Sequence, residues 1–261
     1  MDETPQTPQT AQVPETPLAG GNMGPVARRG TDVLRTAGPW TPTVQRWLAH
    51  LRARGVDGVP EPRGISDDGR EVLGYVEGTV PADPMPTWVW ADDVLADAAR
   101  LARAMHDASD SFDRTGAMWR QPGREPGDVI CHSDLAPYNM VFDDDRRLVG
   151  LIDFDYAAPG PRAWDLAYLA YRLVPLAVPA SDWPFDKAER LRRLDLLVDA
   201  YNGSDARVTR ADVLASVPIK LRWLATFSDE MARVLGNPHL AAHAIGYRSD
   251  AGWVCQEYLF S

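Results

Sequence analysis

The sequence predicts an α+β fold, with a small strand-rich N-terminal part, a larger and mainly helical C-terminal part, and a cleft between them. Three observations predict it. Short apolar runs broken by Gly fill the region up to residue 78, a Gly and Pro connector runs from Gly78 to Pro86, and beyond it apolar residues recur mostly at helical spacing.

The elements follow in chain order. Residues 1–17 are rich in Thr, Pro, Gln and Glu, a composition that cannot bury enough apolar area to offset ordering entropy, and they read as a disordered tail. Val26-Ala27-Arg28-Arg29 and Val33-Leu34-Arg35 flank Gly30-Thr31-Asp32 and predict a β-hairpin. Thr41-Pro42 suits an N-cap and first helical position, and Val44, Trp47, Leu48 and Leu51 continue at helical spacing until Gly55. Gly69 then marks a turn before a strand over Glu71–Val76. These elements divide the chain into an N-terminal part at 18–78 and a C-terminal part at 79–261.

Within the second part, Val94, Leu95, Ala98, Leu101, Ala102 and Met105 form one face of a long helix over Ala91–Ala108. Val129-Ile130-Cys131 reads as a short strand. Met140-Val141-Phe142 and Leu148–Ile152 read as a hairpin around the charged turn Asp143–Arg147. From Ala163 the pattern is helical, through Asp186–Tyr201, Arg210–Leu235 and Leu240–Phe260.

Composition excludes several function classes. A formal charge of −10 on 261 residues disfavours nucleic acid and anionic membrane surfaces as partners, because both demand concentrated Lys and Arg. Residues 182–261 hold 11 acidic and 10 basic side chains, so the acidic excess lies earlier in the chain. No apolar run approaches the ~20 residues that span a bilayer. The N-terminus lacks the basic start and apolar stretch of a secretion signal, which predicts a cytoplasmic location. Cys131 and Cys255 have no metal-ligand spacing and read as buried thiols.

The chemistry concentrates in His132-Ser133-Asp134-Leu135-Ala136-Pro137-Tyr138-Asn139, followed after the hairpin by Ile152-Asp153-Phe154-Asp155. The pattern is H-x-D-x-x-x-x-N with an apolar-flanked Asp further on. Phosphoryl transfer from a nucleotide requires these residue types: a carboxylate beside the accepting hydroxyl, and an amide plus a second carboxylate as hard oxygen ligands for Mg²⁺. Antiparallel pairing of 140–142 with 148–152 would bring Asn139 and Asp153 back to one place.

This stretch resembles the catalytic loop and metal-binding Asp of aminoglycoside phosphotransferases and related small-molecule kinases, which share their logic with protein kinases. The resemblance implies a protein-kinase-like bilobal fold, with a reduced β-rich N-lobe that binds nucleotide at 18–78 and a helical C-lobe for catalysis and substrate at 79–261. It implies that Asp134 orients the acceptor hydroxyl and takes its proton, and that Asn139 and Asp153 hold Mg²⁺ against the nucleotide phosphates. His132 would be structural, and Asp155 would support the metal environment. Pro159–Ala167 resembles the family segment ending in Asp-Leu-Ala, in which Asp165 would brace the catalytic loop through backbone amides.

In the N-lobe, Gly20-Gly21-Asn22-Met23-Gly24 reads either as a phosphate-covering loop or as a plain linker. The family's phosphate-binding lysine falls on Arg35, and its helix glutamate falls on Gln45 or on nothing obvious. Arg35 also reads as a solvated strand arginine. The resemblance places nucleobase contacts on the main chain of Gly74, Tyr75 and Val76, which leaves ATP and GTP undistinguished. His106, four tryptophans (Trp88, Trp90, Trp183 and Trp223), the Asp143–Asp145 turn and the His239/His243 pair read as ordinary structural residues.

The function implied is an ATP- and Mg-dependent phosphotransferase acting on a hydroxyl of a small molecule, with two alternatives: a non-catalytic kinase-like nucleotide-binding module and a housekeeping metabolite kinase of the choline or homoserine type. The near-neutral C-terminal region favours a weakly charged acceptor, such as an antibiotic met by a resistance or tailoring kinase.

Overall fold

A computed structural model describes residues 14–18, 25–179 and 185–260. The N-terminal part is a five-stranded antiparallel sheet in the order β1-β2-β3-β5-β4. Its strands are β1 (Glu15–Pro17), β2 (Val26–Arg29), β3 (Asp32–Thr36), β4 (Pro62–Ile65) and β5 (Arg70–Gly74). The predicted hairpin is β2–β3, with Gly30 at φ 63° in its turn, a left-handed conformation that glycine adopts without a Cβ clash. The helix that follows, α1 (Thr41–Ala53), buries Val44, Trp47, Leu48 and Leu51.

Three local expectations change. Glu15–Pro17, assigned to the tail, pair with β2 along Glu15↔Arg29, and Arg70 grips Glu15 through two bonds of 2.8 Å. Edge pairing plus a bidentate ion pair orders a segment whose composition gives no apolar reason for order. Trp40, not Thr41, is the N-cap of α1; the Thr41 hydroxyl instead accepts from the Gly38 amide at 2.9 Å, which ties the helix to the preceding turn. The polar, mostly exposed β4 carries no alternation that could have announced it.

The C-terminal part contains α2 (Asp92–Ala108), β6 (Val129–Cys131), β7 (Met140–Phe142), β8 (Leu148–Leu151), β9 (Ala158–Gly160), α3 (Arg162–Leu173), α4 (Lys187–Asn202), α5 (Arg210–Leu235) and α6 (Pro238–Val254). The predicted β7–β8 hairpin forms with Met140 opposite Leu151. β9 was hidden by its Ala-Pro-Gly sequence and pairs antiparallel with β6. The last helix starts at Pro238 behind an Asn237 cap and gives way to a π-turn over Cys255–Leu259.

One apolar core joins the two parts, with Trp47, Leu51 and Leu73 packed into the same cluster as Leu95, Met105, Phe142, Leu151 and Leu169. The hairpin is also stitched to the N-terminal part by a backbone bond from Leu151 to Gly58 at 2.8 Å, and to the connector by one from Thr79 to Phe142 at 2.8 Å. The residues before and after the hairpin therefore have a fixed position relative to the sheet.

Candidate active site

β6 ends at Cys131, and the chain passes through His132 and turns through Ser133 at φ 70° into Asp134. A left-handed serine is strained, and the cost is met by fixed partners. The buried Asp165 carboxylate on α3 accepts from the His132 amide at 2.7 Å and from the Ser133 amide at 2.8 Å. His106 on α2 lies 3.1 Å from the same carboxylate, and its other ring nitrogen meets the Tyr201 hydroxyl at 2.8 Å. Burial alone would raise the Asp165 pKa, but the hydrogen bond from His106 and the charges around it hold it below the usual carboxylate range.

Beneath the same turn, Lys220 on α5 donates to the Ser133 carbonyl at 2.7 Å. It is fully buried against the Trp164, Tyr168 and Trp223 rings. Burial pushes its pKa down to about 8, against the opposing pull of Asp165 and Asp134. His132 points its ring to the Ile152 carbonyl at 3.0 Å, linking this turn to the end of the hairpin.

Asp134 is half-buried; its carboxylate receives two side-chain bonds and its backbone amide donates one. Tyr138 donates its hydroxyl to Oδ1 at 2.8 Å, the Asn139 amide donates to Oδ2 at 2.9 Å, and the Asp134 amide donates to His132 Nδ1 at 3.2 Å. Asn139 also donates to the Asp134 carbonyl at 2.9 Å. Both bonds use the Asn139 nitrogen, so its side-chain oxygen is turned away from Asp134. Burial, followed by the Asp134 charge, drives the Tyr138 hydroxyl well above its ordinary pKa, so it stays a donor.

The hairpin closes the site. The Ile152 amide donates to the Asn139 carbonyl at 2.8 Å, which puts Asp153 directly after the residue paired with Asn139. Asp153 has φ 65° and ψ 66°, a left-handed backbone in a residue with a Cβ, and its side chain is 44% exposed. Arg35 on β3 reaches it, Nη1 to Oδ1 at 3.0 Å, and also reaches Asp155 at 2.7 Å. Arg120 holds the other Asp155 oxygen at 2.9 Å. Burial raises the Asp155 pKa, and the Arg35 charge offsets part of that rise.

The sequence left Arg35 either solvated or at the site, and it lies at the site, with only 12% of its side chain exposed. Burial disfavours its charge, yet Glu71, Asp155 and Asp153 hold its pKa above the usual guanidinium value. Gln45 makes no hydrogen bond to Arg35 and instead donates to Glu71 at 2.8 Å. Gly74 and Tyr75 commit their amides to the Glu61 and Thr31 carbonyls at 2.7 and 2.8 Å, so of the three residues expected to meet the nucleobase only the Val76 amide has no backbone partner among the described residues. Gly20, Gly21 and Gly24, like Trp183, lie outside the described residues.

Among the described residues, the metal-ligating atoms that cluster are those of His106, Cys131 and Asp165, all buried. Asp165 and His106 already bond to each other, and burial pushes the Cys131 thiol up, so this trio is a closed, hydrogen-bonded packing arrangement rather than an open ligand set. His239 and His243 belong to no such group. Sequence reading missed Glu71, Arg120, Lys220 and Tyr138. Lys220 carried one signal, being one of only two lysines in the chain, and Glu71 carried another as an acid leading an otherwise apolar strand.

The donor set fits a metal-bound nucleotide. The Asn139 side-chain oxygen and the exposed Asp153 carboxylate are hard oxygen donors on adjacent backbone, as Mg²⁺ prefers. Arg35 Nη2 sits beside Asp155 without a hydrogen bond of good geometry and so retains an unused donor.

The fold and this loop define a kinase-like class. Solved structures with the same fold include a choline/ethanolamine kinase family protein from Mesorhizobium loti, at 17% identity and TM-score 0.61 over 95% of this chain and 90% of that one. Amicoumacin kinase in complex with AMP-PNP, Ca²⁺ and its ligand gives 14% identity and TM-score 0.66 over 93% and 88%. A macrolide 2′-phosphotransferase from Brachybacterium faecium gives 16% identity and TM-score 0.60 over 91% of each chain.

A model of the phosphotransferase enzyme family matches residues 112–196, a span that runs from before β6 to α4 and contains Asp134, Asn139, Asp153 and Asp165. The trifolitoxin immunity protein of Rhizobium leguminosarum bv. trifolii is 38% identical over 200 residues, covering 70% of this chain and 72% of that protein. The chain belongs to the phosphotransferase enzyme family, and transfer of a phosphoryl group to an alcohol acceptor is its class of reaction.

Proposed function

We propose that the protein transfers the γ-phosphoryl group of ATP, with Mg²⁺, to a hydroxyl of an antibacterial natural product and so protects the cell that makes or meets it. The observation that carries this reading is the convergence of Asp134, Asn139 and Asp153 at the end of the β7–β8 hairpin, with the Arg35 guanidinium over it. The name of the immunity relative supports the protective role.

Mg²⁺, when bound, would supply positive charge that offsets the negative charge developing on the transferring group. Asn139 and Asp153 would hold it, and Arg35 would offer its outer nitrogens to phosphate oxygens. Asp134 accepts the proton of the acceptor hydroxyl, and the Tyr138 and Asn139 bonds fix its carboxylate for that task.

For the acceptor, the structure offers a cavity of about 420 Å³ lined by Asp83, Met85, Trp90, Tyr171, Arg172 and Asp250. It adjoins the catalytic loop, because Arg172 lies 5.4 Å from the Tyr138 ring and Tyr138 bonds Asp134. One Arg beside two acids, with apolar walls, suits an acceptor of mixed polarity better than a polycation. Incubating the protein with ATP, Mg²⁺ and a panel of hydroxylated antibacterial compounds should yield one product heavier by a single phosphoryl group in mass spectra. Product formation that persists in Asp134→Asn at the wild-type rate would overturn the assignment.

A further inference from the structure

We infer that Glu71 is the residue that positions Arg35 for the nucleotide phosphates, the anchoring carboxylate being supplied by strand β5 while helix α1 contributes only the neutral Gln45. The inference deepens the proposed function and rests on it, since Arg35 needs aiming only if phosphates bind there.

The geometry is specific. Arg35 and Glu71 face each other in the β3–β5 register, and Arg35 Nε donates to Glu71 Oε2 at 2.6 Å. Glu71 is fully buried, so this bond is shielded from water and salt. Its other oxygen, Oε1, accepts from Gln45 Nε2 at 2.8 Å. Gln45 in turn also donates to the Val72 carbonyl at 3.3 Å and accepts from the Gly64 amide at 3.1 Å. The carboxylate is thus clamped on both sides, and the clamp is tied to the backbone of β4 and β5.

Anchoring through Nε leaves both outer guanidinium nitrogens pointing the other way, toward Asp153 and Asp155. That division of labour is what a planar fork permits and an ammonium does not. It also explains why position 45 holds an amide: a second carboxylate there would face Glu71 Oε1 and repel it, whereas the amide nitrogen donates to it. Without the Glu71 anchor, Arg35 would be free to settle wholly on Asp153 and Asp155, away from a phosphate and against the acid that holds the metal.

The test is a double-mutant cycle read by calorimetry, with a nonhydrolysable ATP analogue and Mg²⁺ as the ligand and the melting temperature recorded for each variant. Glu71→Gln and Arg35→Ala should each weaken binding by roughly tenfold, the loss expected of one charge-assisted bond, and the double variant should be no weaker than Arg35→Ala alone. Gln45→Met, which frees one Glu71 oxygen without removing a charge, should weaken binding in the same direction by about threefold, and serves if Glu71→Gln folds poorly. Wild-type affinity in Glu71→Gln, or losses that simply add in the double variant, would overturn the positioning role while leaving the phosphotransfer reading intact. Wild-type affinity in Arg35→Ala would remove Arg35 from the phosphates and overturn the positioning role, whereas no binding of the analogue by the wild-type protein would overturn the phosphotransfer reading as well.

Discussion

At the scale of single residues, Asp165 shows how one buried acid can hold a strained turn. Its two oxygens serve two backbone amides, and an amide side chain in its place could accept only one of them. Asp165→Asn should therefore lose about 1–3 kcal/mol of unfolding free energy, with the Ser133 turn loosened, as chemical denaturation would measure. Stability supplied by Asp165 is present above pH 3.8, the value of the free carboxyl, and is lost as pH falls through its lower folded value. Lys220 works with the opposite sign. Its folded pKa of about 8 lies below the free value of 10.5, so the unfolded chain binds more protons between the two, and stability rises with pH across that window. Compared with Lys220→Met, the wild type should gain up to about 3 kcal/mol between pH 8 and 10.5, and a flat difference would show that the lysine is not desolvated. Asp134→Asn should lower kcat by about 10²–10⁴ with nucleotide affinity kept, because the amide cannot take the proton.

At the scale of elements, the β7–β8 hairpin is the part that makes a site out of separate residues. It packs so closely on the N-terminal part that a Cβ on Gly150 would lie 2.6 Å from Val76 Cγ1 and 2.8 Å from the Gly58 carbonyl. Gly150→Ala should cost about 1–3 kcal/mol by overpacking. Adding Val76→Ala should recover only part of the loss, since the Gly58 carbonyl is backbone and stays in place; full recovery in thermal melts would refute this account. The hairpin was legible in sequence because its pairing is local and its turn is charged. β4 and β9 were not, because a polar edge strand and an Ala-Pro-Gly strand lack alternation and exist only through their partners. The tail showed the same limit at Glu15–Pro17, where the ordering partner is Arg70, 55 positions away.

At the scale of the whole molecule, the site draws on both parts at once: Arg35 and Glu71 from the sheet, Asp134, Asn139 and Asp153 from the loop and hairpin, Asp165 and Lys220 from helices below. A ligand that bridges them should stabilise the fold as a unit. Free MgATP at a hundredfold over its dissociation constant should add about 2.7 kcal/mol, seen as a rise in melting temperature that Asp153→Ala abolishes. Among the described residues no helix is long and apolar enough to cross a membrane.

By itself the sequence determined the fold class, the hairpin and the identity of the loop residues, because apolar periodicity and the H-x-D-x-x-x-x-N pattern are local properties of the chain. Tertiary structure alone decided which acid holds Arg35, which cation sits under Ser133 and which amides after β5 are already spent. Those are pairings between residues far apart in sequence, and burial, which sets both their strength and their pKa values, exists only once the core has closed around them.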